Sequence, residues 1–296
     1  MKTLLSHLRA GLSVVVLAGN LIVWLTPLML LALLRWAARG RSGAIEERLI
    51  QACYRNAVAI NSWWLRHVSG IRMVAHPPLP GPAGSAPPLD HFDLRGQHVV
   101  LLANHRTWFD IPLLQALTVP AGPILKFVVK RELAWVPIVG WVCLVLRFPL
   151  MRRGGTTEAR TADLHAVSKA AQDRQSTQDA LIIFAEGTRI TDTKHAAAKS
   201  PYRHLLPPKA GGFRTVLRHS PAEAVICDMT VIYRATEVSF WRCLGGRVPQ
   251  VDVYLRQRAL ADVTDVREFL RTTWGEKDVL ITEHLDVPDP TQLATS

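Results

Sequence analysis

An uncharged, apolar run of 24 residues, 11–34, is the first feature of the hydrophobic pattern. A helix of this length measures roughly 36 Å, which is enough to cross a hydrocarbon core of about 30 Å. Asn20 and Pro27 interrupt the run, so two short helices that enter one leaflet are the alternative to a single span. The run predicts an N-terminal membrane-embedded helix or helical hairpin, in preference to a buried core helix.

The next segment combines a helical pattern with a linker. Apolar residues recur every three or four positions in residues 46–68, which predicts an amphipathic helix, and a short strand is expected at 71–75. Residues 76–90 are rich in Pro and Gly, which excludes a helix or a central strand. The chain is therefore divided into an anchor with its amphipathic helix (1–70), a strand with a linker (71–94) and a folded domain (95–296).

From residue 97 onwards, strands alternate with helices. The continuous apolar run at 99–103 predicts a strand that is buried on both faces, and further buried strands are predicted at 181–184 and 225–233. Helices are predicted at 111–117, 157–175 and 266–280. An alternating run predicts a half-exposed strand at 251–256, and an uncharged stretch at 133–146 is too short to span and is expected to be buried or interfacial. This order predicts an α/β fold, in which a mixed sheet is flanked by helices and ligands bind at strand ends.

The composition adds a strongly basic balance. The 35 Lys and Arg residues outnumber the 24 Asp and Glu residues, which gives a net charge of +11 and a pI of about 10.0. Such a charge attracts nucleic acid, anionic headgroups or phosphorylated substrates. A mean hydropathy of +0.13 is high for a basic soluble protein, and DNA binding does not account for the uncharged run. Membrane lipids are therefore the expected partner, and nucleic acid is not.

The four cysteines exclude two further classes of protein. They lie far apart and form no C-x-x-C pair, at positions Cys53, Cys143, Cys227 and Cys243. This spacing excludes a small disulfide scaffold and a zinc ribbon, and it fits a reducing compartment.

The first candidate for chemistry is the segment NHRTWFD (104–110), which follows a predicted buried strand directly. Turns between such strands and the next helix are where open α/β sheets place reactive groups. Asp110 is placed to accept the imidazole N–H of His105, which fixes the tautomer of a His that acts as a base. The alternative is that Asp110 only caps the helix and that His105 is an ordinary turn residue.

The second candidate is FAEGTR (184–189), again at the end of a predicted buried strand. Gly187 permits a tight turn that presents backbone N–H groups, including that of Thr188, to an anion. The Arg189 guanidinium suits a phosphate, and Glu186 is placed to orient that group or to bind a substrate hydroxyl. The alternative is a structural ion pair between Glu186 and Arg189.

A third set of basic residues accompanies apolar sequence. It includes Lys130 and the arginines that end FPLMRR (148–153). Basic side chains beside an apolar surface can hold a phosphate at a membrane interface, and a solvated basic face is the alternative. The sequence contains no G-x-S-x-G, P-loop, dinucleotide fingerprint or HExxH, so no metal or cofactor is expected. What is left is a His base that activates the substrate's own hydroxyl.

In this order, the motifs resemble those of the glycerolipid acyltransferase family, which includes the 1-acyl-glycerol-3-phosphate acyltransferases. The H-x4-D block matches Asn104, His105 and Asp110, and the Phe-Pro-Glu-Gly-Thr-Arg block matches FAEGTR with Ala185 in place of proline. The apolar block that ends in Arg matches FPLMRR, with Arg153 as the counterpart. The Val-Pro-Val-type fourth block is replaced by DMTV (228–231), a departure that leaves the acceptor open.

The resemblance implies that His105, oriented by Asp110, deprotonates a lysophospholipid hydroxyl, which then attacks acyl-CoA or an acylated acyl carrier protein. It further implies that Arg189, Arg153 and Glu186 hold the phosphate and that Lys130 stabilises the oxyanion. The expected product is phosphatidic acid, and the expected location is the bacterial inner membrane with the catalytic domain on its cytoplasmic face. Another acceptor, such as lysophosphatidylglycerol, and a non-catalytic basic membrane-binding protein are the rival interpretations.

Overall fold

The computed structural model describes residues 2–37, 44–76, 79, 94–120, 122–136, 139–146, 148–151, 157–172 and 179–286. The strands in these residues are β1 (Arg72–Ala75), β2 (Val99–Ala103), β3 (Ile124–Phe127), β4 (Val129–Lys130), β5 (Leu150–Met151), β6 (Asp179–Phe184), β7 (Val225–Tyr233) and β8 (Gln250–Ala259). The α-helices are α1 (Lys2–Ala37), α2 (Ala44–His67), α3 (Asp110–Thr118), α4 (Val139–Val145), α5 (Thr157–Gln172), α6 (Asp192–Ala198), α7 (Ala210–Arg218), α8 (Phe240–Leu244) and α9 (Val266–Asp286). Two 3₁₀ helices span Arg131–Trp135 and Leu260–Asp262.

Six strands form one mixed sheet in the order β1-β8-β7-β2-β6-β3, and β4 pairs with β5 separately. Neighbours in the large sheet run parallel, except that β7 and β8 are antiparallel. The predicted α/β class with a mixed sheet is therefore confirmed.

Helices cover both faces of this sheet. On one face, alternate residues of β2 pack with residues of α1, α2, α3 and α8. On the other face, the intervening residues of β2 pack with α5, α7 and α9. All five residues of β2 are buried, which is why this strand is a continuous apolar run in the sequence.

The prediction that residues 251–256 form a half-exposed strand is wrong. β8 is buried over most of its length because α9 covers its second face. The polar residue Asp252 is fully buried and accepts hydrogen bonds from Arg234 (2.7 Å) and Gln250 (2.7 Å), with His76 at 2.9 Å. Buried ionic groups, and not solvent, therefore produce the alternating pattern.

The long apolar run is a single continuous helix, α1, and not two short ones. Asn20 does not break the helix, because its side-chain amide donates hydrogen bonds to the Ala57 carbonyl (2.8 Å) and Asn61 Oδ1 (2.7 Å) of α2. Among the described residues, Thr3–Leu31 is the one helix long and apolar enough to cross a membrane by length and composition.

The uncharged stretch 133–146 is buried on one side and exposed on the other. Cys143 is buried, and Leu146 packs into a cluster with residues of α1 and α2. Trp135 is 84% exposed, and Trp141 and Leu144 are also exposed. Of the linker predicted at 76–90, only His76 and Leu79 belong to the described residues.

Candidate active site

Three neighbouring strands of the sheet bring the candidate residues together. β7, β2 and β6 are adjacent and parallel, so their carboxyl ends meet at one edge of the sheet. The H-x4-D segment follows β2, the EGTR segment follows β6, and Tyr233 ends β7. Turns at this edge are the usual ligand site of such sheets.

His105 and Asp110 form the hydrogen-bonded pair predicted from the sequence. His105 Nδ1 lies 2.7 Å from Asp110 Oδ2, and the Asp110 side chain is fully buried. The same oxygen accepts the backbone N–H groups of Arg106 (2.7 Å) and Thr107 (3.0 Å). Asp110 is the first residue of α3 and closes the turn before it, so it is not the N-cap of that helix. Because an ionised carboxylate only accepts hydrogen bonds, Nδ1 carries the proton and Nε2 is left as the basic nitrogen.

The His105 ring is fixed from several directions. It stacks on Phe184 with ring centroids 4.0 Å apart and an interplanar angle of 15°. Its backbone N–H donates to Glu186 Oε1 (3.0 Å), and its carbonyl accepts the N–H of Ile190 (3.1 Å). Within the described residues, Nε2 has no hydrogen-bond partner, and the side chain retains 11% exposure. The turn therefore presents one unpaired ring nitrogen.

Glu186 holds two loops together. Its carboxylate accepts the backbone N–H of His105 at one oxygen and that of Leu206 at the other (3.1 Å), and it is 1% exposed. Burial raises the pKa of Glu186 to about 7, against the lowering effect of these two hydrogen bonds. Glu186 and Arg189, both described, form no ion pair, so neither the predicted orienting contact nor its structural alternative is observed. The substrate-binding role of Glu186 stays a prediction.

The EGTR turn places Arg189 beside the H-x4-D segment. Gly187 has a φ of +71°, a left-handed conformation that favours glycine, and its N–H donates to the Phe184 carbonyl (2.9 Å). The Thr188 hydroxyl accepts a hydrogen bond from Lys194 Nζ at 2.7 Å. The Arg189 guanidinium lies 4.5 Å from the centroid of Trp108, a residue of the H-x4-D segment. This cation–π contact brings the two motifs together.

For two of the predicted site residues, Lys130 and Arg153, the structure gives no side-chain contacts. β4 pairs with β5 so that Lys130 lies opposite Met151 in register. Arg153 lies outside the described residues. The roles expected for Lys130 and Arg153 stay predictions, as do those of Gly187, Thr188 and Arg189 in substrate binding. In the part of the chain that the structure describes, no group of three or more His, Cys, Asp or Glu side chains is arranged to hold a metal ion.

Two contacts of the site were not predicted. The Tyr233 hydroxyl donates to Asp110 Oδ1, and Tyr233 is buried. The Asn104 amide donates to the Val231 carbonyl (3.0 Å) and accepts the Val231 N–H (2.8 Å). The sequence signal was a tyrosine at the end of a predicted buried strand, but its partner became visible only with the strand order.

Comparison with known proteins identifies the family. An acyltransferase family model matches residues 85–233, which is half of the chain. The mouse 1-acyl-sn-glycerol-3-phosphate acyltransferase gamma is 30% identical over 210 residues, which cover 65% of this chain and 54% of that protein. The probable 1-acyl-sn-glycerol-3-phosphate acyltransferase 5 of Arabidopsis thaliana is 28% identical over 202 residues, which cover 62% of this chain and 53% of that protein. The chain spans about half the length of the curated relatives it matches.

A solved structure shares the fold. The crystal structure of PlsC, the 1-acyl-sn-glycerophosphate (LPA) acyltransferase of Thermotoga maritima, aligns with a TM-score of 0.60 at 14% identity. The alignment covers 98% of this chain and 100% of that one. The resemblance seen in the H-x4-D and EGTR motifs is thus confirmed, and the chain belongs to the acyltransferase family.

Proposed function

We propose that this chain transfers a fatty acyl group from a thioester donor to the free hydroxyl of 1-acyl-sn-glycerol-3-phosphate and so produces phosphatidic acid. The donor is acyl-CoA or an acylated acyl carrier protein, and no further cofactor takes part. The observation that carries this proposal is the hydrogen bond of His105 to the buried Asp110, which leaves Nε2 of His105 unpaired among the described residues, next to the Arg189 turn. The acceptor for which the mouse and Arabidopsis relatives are named supports this choice of acceptor.

In the proposed reaction, His105 Nε2 removes the proton of the acceptor hydroxyl as its oxygen attacks the thioester carbonyl. Asp110 stabilises the imidazolium that forms. The tetrahedral intermediate then collapses, the carbon–sulfur bond breaks, and the imidazolium returns its proton to the departing thiolate. Lys130 is assigned to the developing oxyanion, where a positive charge has its largest effect on the barrier.

The phosphate of the acceptor is assigned to Arg189, together with Arg153. A guanidinium binds a phosphate through two parallel hydrogen bonds, and the Trp108 ring keeps that of Arg189 beside the catalytic turn. Gly187 and Thr188 shape the turn, whereas Glu186 acts through the backbone of His105.

The lipid substrates call for a site at a membrane surface. The side of α1 that faces away from the domain exposes apolar residues, among them Leu12, Val15 and Val23. The net charge of +11 adds attraction to anionic headgroups. We assign the chain to the bacterial inner membrane with its catalytic domain on the cytoplasmic face, because arginines are concentrated after the apolar run, at 35, 39, 41 and 48.

An acyl-transfer assay in mixed micelles tests the base. Full-length protein is offered acyl-CoA and acyl carrier protein as donors, with a panel of lysophospholipids as acceptors. His105→Ala is expected to lower turnover by about 10²–10⁴-fold and to leave micelle binding intact, since general-base catalysis contributes an effect of this size. His219→Ala, which removes a histidine remote from the site, is the matched control.

Each outcome of that assay has a clear meaning. Transfer to lysophosphatidic acid that is lost in His105→Ala supports the proposal. Transfer to another lysolipid alone keeps the mechanism and replaces the acceptor. No transfer by folded protein with either donor contradicts the proposal and favours a basic membrane-binding protein.

The phosphate role of Arg189 is tested by comparing acceptors. Arg189→Ala is expected to raise KM for lysophosphatidic acid by about 10- to 100-fold, the effect of losing a charged hydrogen-bonded contact. Transfer to a monoacylglycerol, which has no phosphate, should be unaffected. Arg271→Ala, which removes an exposed arginine paired with Glu268, serves as the control. An equal loss for both acceptors would show that Arg189 acts on the fold and not on the phosphate.

A further inference from the structure

The end of β7 holds both ends of the catalytic turn. Asn104, which opens the turn, exchanges two hydrogen bonds with the backbone of Val231. Asp110, which closes the turn, accepts a hydrogen bond from the Tyr233 hydroxyl. The two contact residues are two positions apart on one strand, so β7 acts as a rigid template for residues 104–110.

The two oxygens of the Asp110 carboxylate have different hydrogen-bond partners. Oδ2 accepts three hydrogen bonds, from His105 and from two backbone N–H groups, whereas Oδ1 faces Tyr233. Tyr233 is buried, and Asp110 is the one hydrogen-bond partner of its hydroxyl among the described residues. Burial raises the pKa of Tyr233 well above its usual value, so the hydroxyl stays protonated and donates.

We propose that Tyr233 is a positioning residue of the catalytic site, whose hydroxyl fixes the Asp110 carboxylate and withdraws part of its negative charge from His105. This inference rests on the proposed function, because it assigns Tyr233 to the His105 base. A carboxylate that donates less charge to the imidazole stabilises the imidazolium less. Loss of the Tyr233 hydroxyl therefore strengthens the attraction between the Asp110 carboxylate and a protonated His105 ring.

The other ionisable groups around the pair must be considered in any pH experiment. They are Arg106 of the same turn, Glu186 after β6, Cys243 of α8 and, beside Glu186, Lys277 of α9. Burial raises the pKa of Cys243 to about 12, so this thiol stays neutral. Glu186 has a pKa of about 7 and titrates in the range of the assay. The informative quantity is therefore the difference between a variant and the wild-type protein.

The test is Tyr233→Phe, which removes one hydroxyl and keeps the ring. We expect kcat to fall by about tenfold, because the Asp110 carboxylate is then held by one contact fewer and orients the His105 ring less well. The acceptor KM should not change, because Tyr233 does not reach the acceptor. The acid limb of the kcat/KM–pH profile should move to higher pH by about 0.5 to 1 pH unit. A merely structural role would not move this limb.

A matched control is Tyr54→Phe. Tyr54 is a second buried tyrosine with a hydrogen-bonded hydroxyl, which contacts the Leu125 carbonyl and Gln115 away from the site. It should lower thermal stability to a similar extent and leave the pH profile unchanged. If Tyr233→Phe does not fold, site-specific 3-fluorotyrosine at position 233 strengthens the donor and should move the acid limb to lower pH.

The outcomes separate this inference from the proposed function. An unchanged kcat and an unmoved acid limb in folded Tyr233→Phe overturn the inference, while loss of activity in His105→Ala still supports the base. If the wild-type protein transfers no acyl group, the proposed function fails. The inference is then decided by NMR titration of the ¹⁵N-labelled His105 ring, identified by its absence in His105→Ala: a higher midpoint in Tyr233→Phe supports it, and an equal midpoint refutes it.

Discussion

A buried carboxylate that serves as a backbone acceptor makes the stability of this protein depend on pH. Glu186 joins the turn at His105 to the loop at Leu206 and is almost fully buried. Its pKa in the folded protein is about 7, above the ordinary value of 4.5. Between these two pH values the folded protein holds a proton that the unfolded chain has lost. The free energy of unfolding therefore falls as the pH rises through this window, by at most about 1.4 kcal/mol per pH unit.

Glu186→Gln is expected to flatten this dependence. Glutamine has a similar shape and does not titrate, so the free energy of unfolding of the variant should fall less than that of wild type between pH 4.5 and 7. Denaturant unfolding at several pH values measures this difference. Glu223→Gln, at an exposed site, should run parallel to wild type, and a parallel curve for Glu186→Gln would contradict the argument.

Sequence separation decides which contacts of the site could be predicted. The contact between His105 and Asp110 joins residues five positions apart, so strand-end position and spacing were enough to predict it. The contacts of Asp110 with Tyr233 and of Glu186 with Leu206 join residues 123 and 20 positions apart. They depend on which strands are neighbours and on how a loop returns, and no local pattern contains that information.

Among the elements, those marked by an apolar run or a helical period were predicted well, and several without such a pattern were missed. β2 and β7 have the predicted bounds, and α2 and α3 differ from prediction by one or two residues at each end. The strands β3, β4 and β5 and the helices α6, α7 and α8 were missed, because their two to nine residues contain no apolar run or repeated period that sets them apart from loops. β8 was found but its exposure was wrong, since alternation does not reveal whether a polar side chain meets water or a buried partner.

The element that most needs a test is α1, whose exposed face is assigned to the membrane. Val15 lies near the middle of the apolar helix and is 67% exposed. Val15→Asp is expected to weaken binding to anionic vesicles by about 3 kcal/mol, the cost of an acidic side chain at the centre of a membrane helix. Cosedimentation with phosphatidylglycerol vesicles measures the loss.

A valine on another helix provides the control for this change. Val279 of α9 is 58% exposed, and Val279→Asp introduces the same charge on the part of the protein that is not assigned to lipid. It should leave vesicle binding unchanged. Equal weakening by both substitutions would mean that net charge, and not burial of α1 in the bilayer, governs binding.

At the scale of the whole molecule, the apolar helix and the catalytic domain are joined by specific contacts. The indole N–H of Trp241 donates to His7 Nδ1 (2.9 Å), and Arg247 Nε donates to Ser6 Oγ (3.0 Å). Further along α1, Ala10 is buried in the core beside Leu244 of α8, and Leu28 packs with residues of α2. These contacts fix the orientation of α1 relative to the sheet edge. Where α1 lies in a membrane, the His105 turn is therefore held at one distance and angle from the bilayer.

The pairing of β1 with β8 delays completion of the large sheet until late in the synthesis of the chain. Arg72 and Gln250 lie opposite each other although 178 positions separate them. At translation rates of about 5–20 residues per second, about 9 to 36 s pass between their syntheses. During that interval α1 is already made while the sheet lacks a strand, so the apolar helix is free to find a bilayer before the domain closes. A nascent chain whose α1 has entered the bilayer would complete its sheet while tethered, and the sheet edge left open until β8 is made is where aggregation competes with folding.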